Sequence, residues 1–368
     1  MLKSNIAWMK KNVPSDLKVW KGMIQDIDWS QVAAMDTSAK IDWLMNGDRH
    51  LGYLYKKDAI AFARREWKGL KSVGYDFVGW LKIWGGMLNM VMKDPMSIML
   101  AVFEYHWFAS YLATPAVVDR SVFGRRGKLL QADFDMWVAI THWAEDLIAN
   151  LIMADAKIGG NQKINKRIIM FDEMTMAQMM AGFPNLLGIP YQMIPVFMVS
   201  EMDQLTLIPY IDAIESYGLP SDTCPLPTAE CGCAVKDEYP MCGQGFIASS
   251  MPCDGSVMAT SFQDRRFSKF MPSYPLCMPV RYDDEDTTEM AAADMKDCIH
   301  WVEGLTGETW NWDTYFATME KMNECTRLEM EKWEINKTHY PQLVGSSFEL
   351  FRKWNYEMDG GLFPEGLK

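Results

Sequence analysis

At 368 residues the chain has room for two domains, or three small ones, and for a sizeable buried core. Its apolar share of 49% is ordinary for a globular protein. The net charge of -12, with no basic stripe to neutralise phosphates, argues against general nucleic-acid binding. The one compact basic cluster, Arg120 with Arg125, Arg126 and Lys128, reads as a solvated loop, with a local phosphate-binding spot as the other reading. The opening MLKSNIAWMKKN has no apolar segment after its lysines, so it is not a secretory signal. The most apolar region, Phe77 to Val118, is broken by Lys82, Lys93, Asp94, Pro95 and Glu104, short of the roughly 18 uncharged apolar residues of a membrane span. A cytoplasmic protein without a membrane span is expected, a setting where clustered thiols point to metal or redox work before disulfides. The 31 methionines are oxidation-prone, a composition that an anoxic cell tolerates.

In chain order, residues 1–160 read as a helical extension. Ile60–Trp67, Phe77–Met92, Met96–Leu112 and Phe134–Ile152 carry apolar residues three and four apart, with breaks expected at Gly85-Gly86, Pro95 and Pro115. The tryptophans in and beside these helices read as core or interface packing, so the extension is a candidate subunit interface. After Gly159-Gly160 the rhythm changes. RIIMFDE reads as a buried strand, MTMAQMMAGF as a helix and LLGIPYQMIPVF as another strand, an order that suggests α/β architecture over residues 161–286. A helix over Asp203–Ser216 stops at Gly218-Leu219-Pro220. Gly245–Ser250 is the next strand, Val257–Phe270 a helix, and Pro275–Val280 a further strand. Residues 287–368 form a C-terminal helical segment, with helices over Thr288–Glu303, Trp312–Asn336 and Ser346–Tyr356.

Six of the eight cysteines fall between Ser221 and Tyr282, and none precedes Cys224. Such crowding points to a shared task, and the most economical one is a metal centre. Cys224 and Cys253 lie in turns beside a proline, where a thiolate can face outward and backbone amides can hydrogen-bond sulfur, as an iron-sulfur cluster requires. The alternative is two inert buried cysteines. Cys253 follows a strand and precedes a helix, the place where open α/β sheets receive ligands. Cys231, Cys233 and Cys242 lack a second C-x-x-C pair or an H-x-x-x-H, so zinc is weakly supported, and Cys298 and Cys325 read as small core residues. The five histidines match no metal spacing, and there is no G-x-G-x-x-G, Walker loop or G-x-S-x-G.

Over roughly residues 166–360 the sequence resembles the 2-hydroxyacyl-CoA dehydratase and benzoyl-CoA reductase family. The resemblance is carried by GLPSDTC leading to ECG, by FIASSMPCDG, and by the helix and strand that end in LCMPVRYDDED. The upstream RIIMFDEMTMAQMMAGFPNLLGIPY adds to it and sets Glu173 where an acidic residue lies near substrate. It implies a Rossmann-like α/β domain and a 4Fe-4S cluster with Cys224 and Cys253 among its ligands. Glu173 and Asp254 become candidate catalytic residues making polar contacts near the cluster. It further implies a second dehydratase or reductase subunit, a separate ATP-dependent activator protein that recharges the cluster, and a CoA thioester substrate. One electron delivered to the thioester carbonyl gives a ketyl radical that expels a 2-hydroxyl group in the dehydratases, while in the reductases electrons enter an aromatic ring. Family members continue into a second α/β domain that brings a third cysteine, and this sequence stops before one. The remaining ligand is therefore expected from a partner chain or from another cysteine here. A non-catalytic scaffold subunit of such a complex is the competing expectation, and a zinc-binding α/β protein a third.

Overall fold

The computed structural model describes residues 29–37, 70–112, 138, 142, 144–158, 167–171, 179–190, 207–220, 223–250, 254–267, 269–277, 279 and 284–337. The helix expected over Ser346–Tyr356 lies outside them, as do Glu173 and Cys253. The chain divides into two compact units, Met1–Ala149 and Asn150–Lys368.

In the first unit the described helices are α1 (Trp29–Ala34), α2 (Leu70–Lys93), α3 (Pro95–Glu104) and α4 (Phe108–Leu112). The expected break at Gly85-Gly86 does not occur, because α2 runs through it. The reason is packing. Gly86 faces the side chains of His142 and Glu145 with no room for a Cβ, so the close approach of two helices outweighs the weak helix propensity of glycine. The break at Pro95 does occur. Asp94 accepts a hydrogen bond from the Ser97 N–H at 3.4 Å, and Pro95 takes the first helical position, where its missing N–H costs nothing. Tyr105, Trp107, Phe108 and Tyr111 are fully buried and stack edge-on and face-on on one another, the core role expected for such rings.

The second unit is built on a parallel sheet of four strands in the order β2-β1-β3-β4: β1 (Arg167–Phe171), β2 (Leu186–Pro190), β3 (Gly245–Ser249) and β4 (Ser273–Leu276). The fold is therefore α/β with a parallel sheet. Helices α5 (Ile208–Glu215) and α6 (Pro225–Val235) lead from β2 across to β3, α7 (Asp254–Phe267) joins β3 to β4, and α8 (Glu285–Thr306) and α9 (Trp312–Asn336) follow. On one face Ile169, Phe171, Ile247 and Leu276 pack against Cys298, Ile299 and Val302 of α8 and against Trp310. Right-handed crossovers put α7 on the other face, since β1 to β2 and β3 to β4 step in opposite directions across the sheet. A sheet covered on both sides explains why IIMF, after exposed Arg167, and GFIAS are unbroken buried runs. Asp284 caps α8 by accepting the Thr287 N–H at 2.7 Å, and Gly307, at φ 74°, closes it in the left-handed conformation.

Helix α6 is absent from the sequence reading. PLPTAECGCAV has two prolines and no apolar stripe, yet Pro225 and Pro227 fall in the first turn, where backbone N–H groups need no helical partner. The helix is buried on all sides from Pro227 to Ala234, so no amphipathic period is needed. Gly232 lies directly against the backbone of Tyr210 in α5, a contact that only glycine permits.

Candidate functional site

Cys224 is the N-cap of α6 (φ -51°, ψ 127°) and is exposed. Its carbonyl accepts from the Thr228 N–H at 3.3 Å and from the Thr228 hydroxyl at 2.8 Å, while its thiol makes no capping hydrogen bond. The turn expected from Thr223-Cys224-Pro225 is thus the start of a buried helix, and that helix fixes the position of the cysteine.

Helices α6 and α7 run side by side in the same direction. Cys231 of α6 packs with Ala259 of α7, 28 residues further along the chain. Asp237, just past the end of α6, pairs with Arg266 near the end of α7, 29 residues further along. Carried back along both helices, that offset sets Cys224 level with the opening of α7, which begins at Asp254 immediately after Cys253 in sequence. The start of α7 is in turn reached from Ser249, the carboxyl end of β3. β1 and β3 are the neighbouring strands at which the sheet reverses its direction of travel, and the crevice outside the carboxyl ends of such strands is where open α/β folds take ligands. Glu173 follows the last residue of β1 by two positions in sequence.

The other thiols divide by burial. Cys231, Cys233, Cys298 and Cys325 are fully buried. Burial, reinforced by the Glu230 carboxylate, pushes the Cys231 thiol up to about 12, and burial with Asp294 does the same for Cys298. Cys233 and Cys242 are likewise held above the ordinary thiol range, first by burial and then by Glu238 and Asp155 respectively. Thiols in that state stay protonated and inert. Cys298 and Cys325 are core residues, as expected. Cys242 lies 3.7 Å from the sulfur of Met170. Among the described residues no group of three or more His, Cys, Asp or Glu side chains is arranged to hold a metal ion.

Cys277 differs from these. The sequence places it inside a strand over Pro275–Val280, but β4 ends at Leu276, so Cys277 is the first residue beyond its carboxyl end, and it is exposed. An open groove of about 500 Å³, lined by Tyr217, Asp237, Phe262, Arg265, Lys269 and Phe270 among others, lies at the far ends of α6 and α7 and is separate from the cysteine edge.

The fold is that of an open α/β protein with a parallel sheet, in which exposed Cys224 opens α6 and exposed Cys277 follows the carboxyl end of β4. Residues 204–359 match the model of the family described as 2-hydroxyglutaryl-CoA dehydratase, D-component, so the resemblance read from the two cysteine turns is borne out over that segment. The description is that of an enzyme component. The β1 and β2 region, where Glu173 lies, precedes the matched segment. No curated protein matches the chain. Among the described residues no helix is long and apolar enough to cross a membrane.

Proposed function

We propose that the chain is the iron-sulfur subunit of a radical acyl-CoA dehydratase or reductase, acting with a second subunit and with an ATP-dependent activator on a CoA thioester. The observation that carries this is the shared direction of α6 and α7, which sets exposed Cys224 level with the helix start that Cys253 precedes. The donors suit the group, being soft thiols at helix starts, where backbone amides and the positive end of the helix dipole favour an anionic sulfur cage. When bound, a low-potential 4Fe-4S cluster supplies single electrons.

The chain's own contribution is to hold and orient. Cys224 and Cys253 anchor the cage, and the packed backbones of α5 and α6 keep the first of them in place. Asp254 and Glu173 are the polar groups that orient the thioester. Because Cys224 is exposed, the partner subunit is what closes the site against water and oxygen. Rossmann-like architecture, a helical extension over 1–160, an α/β domain over 161–286 and a helical segment over 287–368 belong to the same proposal, as does a cytoplasmic location. Anaerobically purified and reconstituted protein, with its partner subunit, is then expected to be brown and to contain iron and sulfide in near-equal amounts. Colourless protein free of iron sinks the proposal, and stoichiometric zinc in the same elemental analysis would point instead to a zinc protein.

A non-catalytic scaffold role is the second reading. It is favoured by α2 and α3, where Phe77, Leu81, Leu88, Met92, Met96 and Met99 stay between 41% and 64% exposed, recurring every three to seven residues. Deleting residues 1–160 then breaks the assembly. An unchanged native mass argues against it.

A further inference from the structure

We propose that α2 pairs with α2 of a second copy of this chain, through a heptad seam on the face opposite its own buried stripe. The inference rests on the exposed face noted for the scaffold reading and names what covers it, and it is independent of the cluster.

α2 carries two stripes. Gly79, Ile83, Gly86 and Met90 are buried, at steps of four, three and four. Gly74, Val78, Leu81, Gly85, Leu88 and Met92 are exposed, at steps of four and three in alternation. At 3.6 residues per turn the two stripes fall on opposite sides of the helix. The first meets a neighbour within the unit, since a Cβ on Gly86 would strike the side chains of His142 and Glu145. The second repeats the spacing and the glycine, yet among the described residues a Cβ on Gly74 or Gly85 meets nothing within 4 Å. A surface helix with one buried stripe ordinarily turns charge to solvent on the other side. Here Phe77, Val78, Leu81, Leu88 and Met92 are instead between 48% and 64% exposed. Alternating steps of four and three are what a helix needs to lie along another helix.

The seam fits its own copy. Val78 and Met92 each stand seven residues from Gly85, and Leu81 and Leu88 stand four and three from it. Two antiparallel copies crossing at Gly85 therefore set Val78 against Met92 and Leu81 against Leu88. The glycines let the axes approach closely, and the opposed helix dipoles attract. This is the self-complementary contact that a two-fold axis requires. The seam holds no charged residue, so nothing in it calls for a partner of opposite sign, and the flanking Lys82 falls beside Asn89 of the second copy. With its large side chains about half exposed, each copy contributes on the order of 600 Å², and the pair about 1,200 Å², which reaches the range of specific interfaces. An anionic bilayer is the poorer occupant. The chain's net charge is -12, and the lysines of α2 are only Lys71, Lys82 and Lys93, the last of them paired with Asp146.

The test is the native mass and sedimentation of the reduced full chain, without other subunits, at roughly 1–50 μM. Wild type is compared with the double variant Leu81→Glu, Leu88→Glu, and with Met330→Glu, which alters an exposed apolar residue of α9. All three positions are exposed, so circular dichroism and thermal unfolding of the diluted chains should stay unchanged. Wild type is expected at twice the mass of one chain. The double variant, which brings four carboxylates into the seam, should raise the dissociation constant about a hundredfold or more, and Met330→Glu should leave it as it is. Gly85→Cys gives a second readout, since mild oxidation of the dimer should join its introduced thiols in a disulfide found by peptide mass mapping. A wild-type chain that stays monomeric overturns the pairing, including one that then binds phosphatidylserine vesicles or only a different subunit. So does a dimer that the double variant leaves intact, and a dimer without the disulfide overturns the crossing at Gly85. Where deleting residues 1–160 breaks an assembly that the double variant does not, the scaffold reading stands and the pairing falls. Where the deletion leaves the mass unchanged, both fall.

Discussion

Glu145 allows a pH effect to be worked through from the structure. Its carboxyl is 1% exposed, and both of its oxygens lack a hydrogen-bond partner. It lies against Gly86 of α2, with His142 alongside and Asp146 next in the chain. Burial is the main cause that pushes its carboxyl from 4.5 up to about 8, and the negative charge of Asp146 adds to it. Asp146 itself is paired with Lys93 at 2.6 Å and accepts from Asn89 at 3.3 Å. Below the unfolded carboxyl's range both states carry the proton. Between 4.5 and 8 the unfolded chain releases it while the folded chain keeps it, so stability falls as pH rises across that window. At about 1.4 kcal/mol per unit, the loss is about 3 kcal/mol by pH 7 and nears 5 kcal/mol above pH 8, with water entry reducing both. Glu145→Gln removes the titration and keeps the shape. The variant is therefore expected to gain on wild type by about 2–4 kcal/mol between pH 5 and pH 8.5. Urea unfolding at both pH values, followed by near-ultraviolet circular dichroism of the first unit's buried aromatic residues, measures this difference directly. A gap between the two proteins that does not change with pH refutes the reasoning.

The remaining expectations concern thiols and backbone contacts. In the native metal-free chain iodoacetamide should modify Cys224 and Cys277 about a hundredfold faster than Cys231, Cys233 or Cys298, which are both buried and held protonated; rapid labelling of any of these three would contradict their place in the core. Gly232→Ala should cost about 2–3 kcal/mol in denaturant unfolding, because its methyl group meets the Tyr210 backbone; an exposed helical glycine would instead gain about 1 kcal/mol from the same change, so the sign decides. Asp155 accepts the backbone N–H groups of Met241 at 2.8 Å and Lys157 at 3.0 Å through one oxygen. Asp155→Ala should cost about 2–4 kcal/mol, and Asp155→Asn, which can keep that acceptor, distinctly less; equal losses would show that charge and not the acceptor matters.

The strands that build the sheet were legible because their signal is local. RIIMF and GFIAS are short apolar runs bounded by polar or glycine residues, and a doubly covered parallel strand has no other pattern to show. The long C-terminal helices were legible for a related reason, since α8 and α9 keep a wet face and hence a period. Gly85-Gly86 misled because its cause is non-local. What keeps α2 intact there is a partner nearly sixty residues away, His142, whose ring bonds the Lys82 carbonyl at 2.8 Å. Glu173 and Cys253 were singled out from motif alone, and both lie outside the described residues.

Helix α6 shows most clearly what a local reading leaves out. A helix buried on every side can be made of small and mixed residues, so PLPTAECGCAV carries prolines and cysteines in place of a stripe and reads as a turn. Its existence depends on Gly232 accepting the backbone of Tyr210 and on the pairing of Asp237 with Arg266, contacts that span about twenty to thirty residues of sequence. Those contacts decide the direction of α6 and so the level at which Cys224 stands. The end of β4 has the same character. Pairing with β3 stops the strand at Leu276, and Asp294 holds the next backbone N–H in place of a continuing ladder. A strand end four residues earlier, at Leu276 and not Val280, therefore separates a cysteine inside a strand from an exposed one just past it. The spacing of cysteines along the chain says nothing of burial, and the pairing of strands and helices is what sorts exposed thiols from buried ones.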